Sequence, residues 1–223
     1  MHEDICTQAA DNRVALIIIP FHNNYSNMAS GRSSALSNLN LNVLVGAPCS
    51  VGILVDHDYR RPALRSQHFS YKALLIFLGG ADDRETLAYA NRMSYHPGVS
   101  ITVIRFRLSN GSDNSDDYEA EKKLDESVLL EFQFKSMNKQ SVFYHESVAA
   151  DEGHVLPLIG SLEDDYDLIM VGRRHRTTMA DWRESTELGF LGDKLLSSNL
   201  VSKIFSLLVV QRCEAVNSDP IIK

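Results

Sequence analysis

Hydrophobic periodicity divides residues 70–212 into a regular alternation of strands and helices. Residues 72–78 form a continuous apolar run, which is typical of a strand covered on both faces. Residues 82–95 place apolar side chains at a helical spacing, and residues 99–106 are rich in β-branched side chains. Further strands are predicted at 142–147, 166–171 and 204–211, and further helices at 121–137, 153–162 and 188–199. This alternation predicts an α/β, Rossmann-like domain with a parallel sheet of five strands, for which we expect the order 3-2-1-4-5.

The N-terminal residues repeat the second half of this pattern. They read as helix, strand, helix and strand, at 1–11, 14–21, 33–44 and 51–56. We therefore predict that residues 1–58 are the back half of a first, similar domain, followed by a linker at 59–69, a complete second domain at 70–212 and a tail at 213–223. An isolated half-sheet leaves an unpaired edge, so we expect the chain to lie inside a longer parent chain. The last strand, 204–211, is apolar enough to be an edge, through which we expect either a homodimer or pairing with the missing half-domain's partner in the parent chain.

The composition of the chain argues against several classes of protein. The chain has 223 residues, of which 44% are hydrophobic and 23% charged, as in ordinary globular proteins. Its formal charge of −7 argues against nucleic acid as a partner. No apolar run approaches the roughly 20 residues of a membrane helix, and no secretory signal is recognisable. The cysteines Cys6, Cys49 and Cys213 are odd in number and far apart, which excludes a disulfide scaffold and a zinc ribbon and favours the cytosol.

Residues 109–126 interrupt the alternation with a concentration of acidic side chains. We interpret them as a solvated, partly disordered loop. A docking or phosphorylation surface is the alternative, although no specific motif supports it.

The candidate site lies where the strand order is expected to reverse, because open parallel sheets bind ligands there. The first strand ends at Gly79-Gly80, before Asp82 and Asp83, and the fourth ends at Gly172, before Arg173, Arg174, His175 and Arg176. In one interpretation the glycines admit a nucleotide and the arginines hold its phosphates. In the other, which we favour, the two loops satisfy each other. Asp82 then caps the helix in a capping box with Glu85, and Asp83 faces the arginines.

The sequence gives weaker support for other kinds of functional site. No GxGxxG or GxxxxGK[ST] phosphate loop occurs, and no GxSxG elbow or Cys–His nucleophile pair is visible, so we predict no enzyme activity and no firmly bound cofactor. The histidines form no metal motif. His22 and His175 follow strand ends at equivalent positions, and they could be a pH sensor or simply solvated loop residues. Trp182 is interpreted as a packing anchor for the loop after Gly172.

Several segments together resemble the cytosolic C-terminal region of the plant cation/proton exchanger (CHX) family of monovalent cation:proton antiporters. They are "MHEDIC", "VALIIIPFH", "APCSVGILVD", "GGADDRETLAYANRMSYHPGVSITVIRF", "YDLIMVGRRH" and "ELGFLGDKLLSS". The resemblance covers nearly the whole chain, and it implies two universal-stress-protein-like folds that follow a transmembrane exchanger domain. ATP-binding universal stress proteins carry an Asp at the end of the first strand and a G-x2-G-x9-G-[S/T] loop after the fourth. Here Gly79-Gly80 ends the first strand, and His175 stands at the second glycine of the loop, so the resemblance implies a weak or lost nucleotide site.

The resemblance therefore implies a non-enzymatic regulatory domain of a K⁺ (or Na⁺)/H⁺ antiporter, on the cytosolic face of a membrane. Its expected partner is the transmembrane exchanger domain of the parent chain. A stand-alone, nucleotide-binding universal-stress-type signalling protein is the alternative. A nucleotide-using enzyme on the same fold is a third hypothesis, because fold alone does not determine function.

Overall fold

The elements follow the predicted alternation along the chain. The computed structural model describes residues 1–21, 30–56, 70–108, 116–150, 154–160, 166–175, 186–197 and 205–214. The strands are β1 (Leu16–Pro20), β2 (Ser50–Val55), β3 (Tyr71–Phe77), β4 (Val99–Leu108), β5 (Val142–Ala149), β6 (Leu168–Gly172) and β7 (Ser206–Gln211). The helices are α1 (His2–Asp11), α2 (Ser30–Gly46), α3 (Ala81–Met93), α4 (Asp116–Ser136), α5 (Val155–Gly160) and α6 (Gly189–Ser197).

The strands form one sheet of seven in the order β1-β2-β7-β6-β3-β4-β5. From β5 to β7 this sequence of neighbours is the predicted order 3-2-1-4-5, and all of its pairings are parallel. The α/β, Rossmann-like prediction is therefore confirmed. The complete sheet differs from the five-stranded prediction because β2 and β1 extend it beyond β7.

The junction between the two parts of the chain is an antiparallel strand pair. Strand β2 pairs with β7 in the opposite direction, with Gly52 opposite Val210 and Ile53 opposite Val209. A Cβ on Gly52 would lie 3.0 Å from Leu208 Cδ1, so the glycine lets that leucine pack closely against β2. The prediction that β7 is a free edge is wrong, because β2 of the same chain occupies its outer side. A homodimer cannot use that edge while this pairing is in place.

Both faces of the central strands are covered, which explains their continuous apolar runs. One hydrophobic cluster combines residues of both parts of the chain, including Ile53, Leu74, Leu191 and Val209, all nearly inaccessible to solvent. The second cluster lies on the other face, where α3 and α4 pack through Leu87, Leu129 and their neighbours. The N-terminal part is thus built into a shared core.

The structure corrects one prediction made from the sequence, and several others concern residues that it does not describe. The acidic segment predicted as a loop at 109–126 is helical from Asp116 onward, because α4 begins there. Residues 109–115, the predicted linker 59–69, His22, Arg176 and Trp182 lie outside the described residues. Among the helices that are described, none combines the length and apolar character needed to cross a membrane.

Candidate functional site

The crevice predicted at the strand-order reversal is bounded by the ends of β3 and β6 and the start of α3. The chain leaves β3 through Gly79 (φ 123°) and Gly80 (φ 99°), which adopt a backbone conformation that side chains disfavour. Gly80 is the N-cap of α3, and no side chain caps the helix there. The predicted capping box is therefore wrong. Glu85 instead accepts a 2.8 Å hydrogen bond from the Ser50 hydroxyl, across the junction with the N-terminal part.

The Asp83 carboxylate connects the two strand ends. Its side chain is fully buried, and Oδ2 accepts hydrogen bonds from the N–H groups of Leu78 (2.7 Å) and Gly79 (2.8 Å). Oδ1 accepts from the N–H of Gly172 at 2.8 Å and lies 3.2 Å from Nε2 of His175. Backbone amides at such a position commonly bind an anion. Here the anion is supplied by the protein itself.

Asp82 binds the loop that follows β6. Its carboxylate is 1% exposed and receives a two-pronged contact from Arg174, with Nε 2.9 Å from Oδ2 and Nη2 2.8 Å from Oδ1. The backbone N–H groups of Arg174 (3.0 Å) and Arg212 (2.9 Å) complete its set of donors. Hydrogen bonding to Asp82 raises the pKa of Arg174, so the guanidinium stays charged. Of the arginine contacts predicted for Asp83, the one with Arg174 is made by Asp82 instead, and Arg176 lies outside the described residues.

Arg173 points to a different set of acceptors. Nε donates to the carbonyl of Glu187 (3.0 Å), Nη2 to the carbonyl of Thr186 (2.7 Å), and Nη1 to Oε1 of Gln211 (2.9 Å). The side chain thereby joins the segment before α6 to the end of β7. These contacts support the interpretation in which the loops around the crevice satisfy each other.

The partners of Arg173 lead into the N-terminal part of the chain. Gln211 donates from Nε2 to the carbonyl of Leu44 in α2 at 2.8 Å. Glu187 is 9% exposed, and its Oε2 accepts a 2.7 Å hydrogen bond from Nδ2 of Asn40, also in α2. A connected set of polar contacts therefore runs from the crevice to α2.

Asp125 is the crevice residue that the sequence analysis missed. It lies on α4 at 8% exposure, its carboxylate accepts from the N–H of Gly80 at 3.1 and 3.2 Å, and it pairs with Arg84. Burial raises the pKa of Asp125, although the hydrogen bonds from Arg84 and Gly80 oppose that shift. A helical signal was present, because Asp125 shares the buried stripe of Leu129 and Phe132. The predicted helix at 121–137 already included Asp125, but its local pattern does not show that the residue approaches Gly80.

The arrangement holds the crevice closed by internal charge pairs. The predicted residues Gly79, Asp82, Asp83, Gly172, Arg174 and His175 come together directly, and Gly80 joins them through Asp125. That this crevice is a weak or lost nucleotide site stays a prediction. Within the described ranges, no group of three or more His, Cys, Asp or Glu side chains could hold a metal ion.

The sheet and the crevice define a Rossmann-like α/β protein whose usual binding position is taken by its own side chains. Residues 70–211 match the family model described as the plant cation/H(+) antiporter, C-terminal domain, and residues 1–59 match a plant cation/H(+) antiporter domain. The chain therefore belongs to the plant cation/H(+) antiporter family, which confirms the resemblance found in the sequence.

Curated relatives agree with this assignment. The chain is similar to cation/H(+) antiporter 23, chloroplastic, of Arabidopsis thaliana, with 40% identity over 96% of this chain and 27% of that protein. It is also similar to cation/H(+) antiporter 21 of the same plant, with 38% identity over 97% of this chain and 28% of that protein. The chain thus spans little more than a quarter of their length. Among solved structures, a universal stress protein from Archaeoglobus fulgidus DSM 4304 is similar at 14% identity and a TM-score of 0.44, covering 96% of this chain and 66% of that one.

Gly172→Ala should destabilise the fold by disturbing the contact between β6 and α3. A Cβ at this position would lie 2.5 Å from Asp83 Oδ1 and 2.8 Å from the Asp83 backbone nitrogen, so the strand end would have to move. We expect a loss of about 1–3 kcal/mol in urea unfolding, as for other overpacked sites. Gly46→Ala is the control, because its Cβ would meet only Cys6 Sγ at 3.8 Å. Equal stability of the two variants would contradict the close approach.

Asp125 and Glu126 are neighbours on α4 that should respond to acid in opposite directions. Burial raises the pKa of Asp125 above its ordinary 3.8, so the folded state binds that proton more tightly than the unfolded chain. The energetic cost of ionised Asp125 therefore disappears as the pH falls through its folded pKa. Hydrogen bonding from Arg105 lowers the pKa of Glu126 below 4.5. Its stabilising effect is present above pH 4.5 and is lost as the pH falls through its folded pKa.

The stability of Asp125→Asn and Glu126→Gln should be compared with that of the wild type by urea unfolding between neutral and acidic pH. The stability of the wild type relative to Asp125→Asn should rise as the pH falls. The stability of the wild type relative to Glu126→Gln should decline as the pH falls. A decline in both comparisons would mean that the Arg84 pair outweighs the effect of burial at Asp125.

Proposed function

We propose that this chain is a regulatory region, on the cytosolic face of a membrane, of a monovalent cation (K⁺ or Na⁺)/proton antiporter. The observation that carries the proposal is the crevice filled by Asp82 and Asp83, both at most 1% exposed. A crevice occupied in this way is suited to mechanical coupling between segments. It is poorly suited to bind a nucleotide, because the amides that would receive a phosphate already donate to a carboxylate.

Family membership supports the transport context. The two relatives described above are named antiporters, and the larger matched segment corresponds to a C-terminal domain. Exchange of a cation for a proton requires ionisable groups inside the membrane. We therefore assign the exchange itself to a transmembrane domain elsewhere in the parent chain, and we take that domain as the partner of this region.

The contacts around Arg173 supply a route for coupling. Arg173 binds Gln211, and Gln211 binds the carbonyl of Leu44 in α2. A displacement of α2 against the sheet would therefore change the loop that follows β6. We assign no catalysis to this site, because Asp82, Asp83 and the charged groups around them are engaged in structural contacts.

Reconstituted transport tests the regulatory role. The antiporter that carries this chain should be placed in vesicles with a pH-sensitive dye, and K⁺- or Na⁺-driven proton flux should be measured. We expect Arg173→Met to change the flux at equal protein abundance, because it keeps a long side chain but removes the donors to Gln211 and to the carbonyl of Glu187, the two residues that contact α2. Arg107→Met is the control, since Arg107 is 53% exposed and pairs with Glu146 away from the crevice. Unchanged flux in Arg173→Met, and after deletion of the whole region, would contradict the proposal.

Nucleotide titration separates this proposal from the alternative of a nucleotide-binding signalling protein. By calorimetry, the wild type should bind ATP, AMP or a cyclic nucleotide weakly or not at all. Asp82→Asn should bind ATP better, because Arg174 loses its buried carboxylate partner and keeps only the exposed Glu214, and the gain should fade as salt is added. Adding Asp83→Asn should improve binding further if the double variant remains folded, which circular dichroism checks.

Asp117→Asn is the matched control for that titration. It changes the net charge by the same amount, but Asp117 is exposed in the first turn of α4. Tight ATP binding by the wild type that Asp82→Asn loses would overturn the closed-crevice proposal in favour of a nucleotide sensor.

We also propose that the region forms a homodimer, although β7 is not its edge. Strand β5 is the outermost strand of the sheet on the opposite side, and Phe143 (48%) and Val148 (67%) are exposed on it. We expect a dimer by sedimentation at tens of micromolar, about where weak interfaces become populated. Only monomer at that concentration would contradict this.

A further inference from the structure

The fold brings together three cysteines that are far apart in the sequence. Cys6 lies on α1, Cys49 immediately precedes β2, and Cys213 follows β7. The Cys6 sulfur is 3.8 Å from the position of a Cβ on Gly46. The Cys213 thiol donates to the carbonyl of Ala47 at 3.6 Å. All three thiols therefore lie beside the short connection between α2 and β2, and all three are unpaired in the structure.

Two of these cysteines follow the paired ends of β2 and β7. In the antiparallel pair of β2 and β7, Gly52 faces Val210 and Val51 faces Gln211. Cys49 and Cys213 lie two residues beyond the last observed pair, Val51 and Gln211, and the same register continued that far would place them opposite each other. Directly opposed residues of antiparallel strands have Cβ atoms about 4.5–5.5 Å apart. A disulfide needs about 3.5–4.5 Å, so a small local adjustment is sufficient.

The two thiols differ in accessibility. Cys49 is buried at 9% exposure, whereas Cys213 is partly exposed. Burial raises the pKa of the Cys49 thiol, and the neighbouring Cys213 and Cys6 raise it further. Cys49 is thus kept protonated and shielded, which is typical of a thiol that reacts second.

We propose that Cys49 and Cys213 are an oxidisable pair that forms a reversible disulfide across the junction between the two parts of the chain. The oxidant is hydrogen peroxide. The Cys213 thiolate attacks one peroxide oxygen and breaks the O–O bond, giving a sulfenic acid and one water after protonation. The Cys49 sulfur then attacks the sulfenic sulfur, the S–S bond forms and a second water leaves. Two thiols lose two electrons in total, and two equivalents of a monothiol such as glutathione restore them.

The bond would fix the pairing that integrates the N-terminal part into the sheet. It closes a loop from residue 49 to residue 213, and a crosslink that spans such a long segment strongly restricts the unfolded chain. Oxidation should therefore hold β2 against β7, and reduction should release that constraint. The inference rests on the thiols and the register, and it does not depend on the proposed role in transport.

Peptide mapping tests the pairing directly. Each cysteine falls in a different tryptic peptide, namely residues 1–13, 33–60 and 213–223. The protein should be treated with hydrogen peroxide, its remaining thiols alkylated under denaturing conditions, and the digest analysed by mass spectrometry without reduction. We expect peptide 33–60 joined to peptide 213–223, and we expect the link to disappear after treatment with glutathione.

Serine variants make the assignment specific. Cys6→Ser should keep the link, whereas Cys49→Ser and Cys213→Ser should abolish it. Peroxide should also raise the melting temperature of the wild type and of Cys6→Ser by about 5 °C or more, and it should not raise that of Cys49→Ser. Links that involve only Cys6, or no intramolecular link at all, would overturn the inference.

Discussion

The structure depends on the buried carboxylate of Asp83. An ionised group without access to water is costly unless hydrogen bonds replace its hydration. Here the N–H groups of Leu78, Gly79 and Gly172, together with His175, surround it, so the ends of β3 and β6 are held at one point. This arrangement requires glycine where the chain approaches the carboxylate most closely, at Gly172. The same carboxylate that orders the fold also occupies the position where a Rossmann-like sheet usually binds its ligand.

Two further carboxylates, those of Asp82 and Asp125, connect additional elements to the same place. Asp82 binds Arg174 and the backbone of Arg212, so the start of α3 is tied to the loops after β6 and β7. On the other side Asp125 binds Gly80, which ties α3 to α4. Together the three carboxylates connect five elements at the crevice: β3, β6, β7, α3 and α4. In the proposed role, such a junction would transmit displacement between these elements.

The pairing of β2 with β7 makes the N-terminal part of the chain belong to the same sheet and the same hydrophobic core as the rest. It covers an apolar strand that would otherwise be an aggregation-prone edge. It also places polar contacts and thiols at one boundary, where Gln211 reaches α2 and Cys213 reaches Ala47. Mechanical coupling and oxidation chemistry would therefore act on the same interface.

The sequence by itself determined the order of the elements, the parallel α/β class, the family and the position of the crevice. The elements and the fold class follow from local periodicity, since an apolar run or a helical stripe records how each element is buried, whereas the family follows from the resemblance of several segments. Only the tertiary structure decided that Asp82, and not Asp83, binds Arg174, that Asp125 belongs to the crevice, and that β2 covers β7. Each of these depends on the register and distance between segments far apart in the chain. Periodicity shows which face of an element is buried, but it does not show which distant segment covers that face.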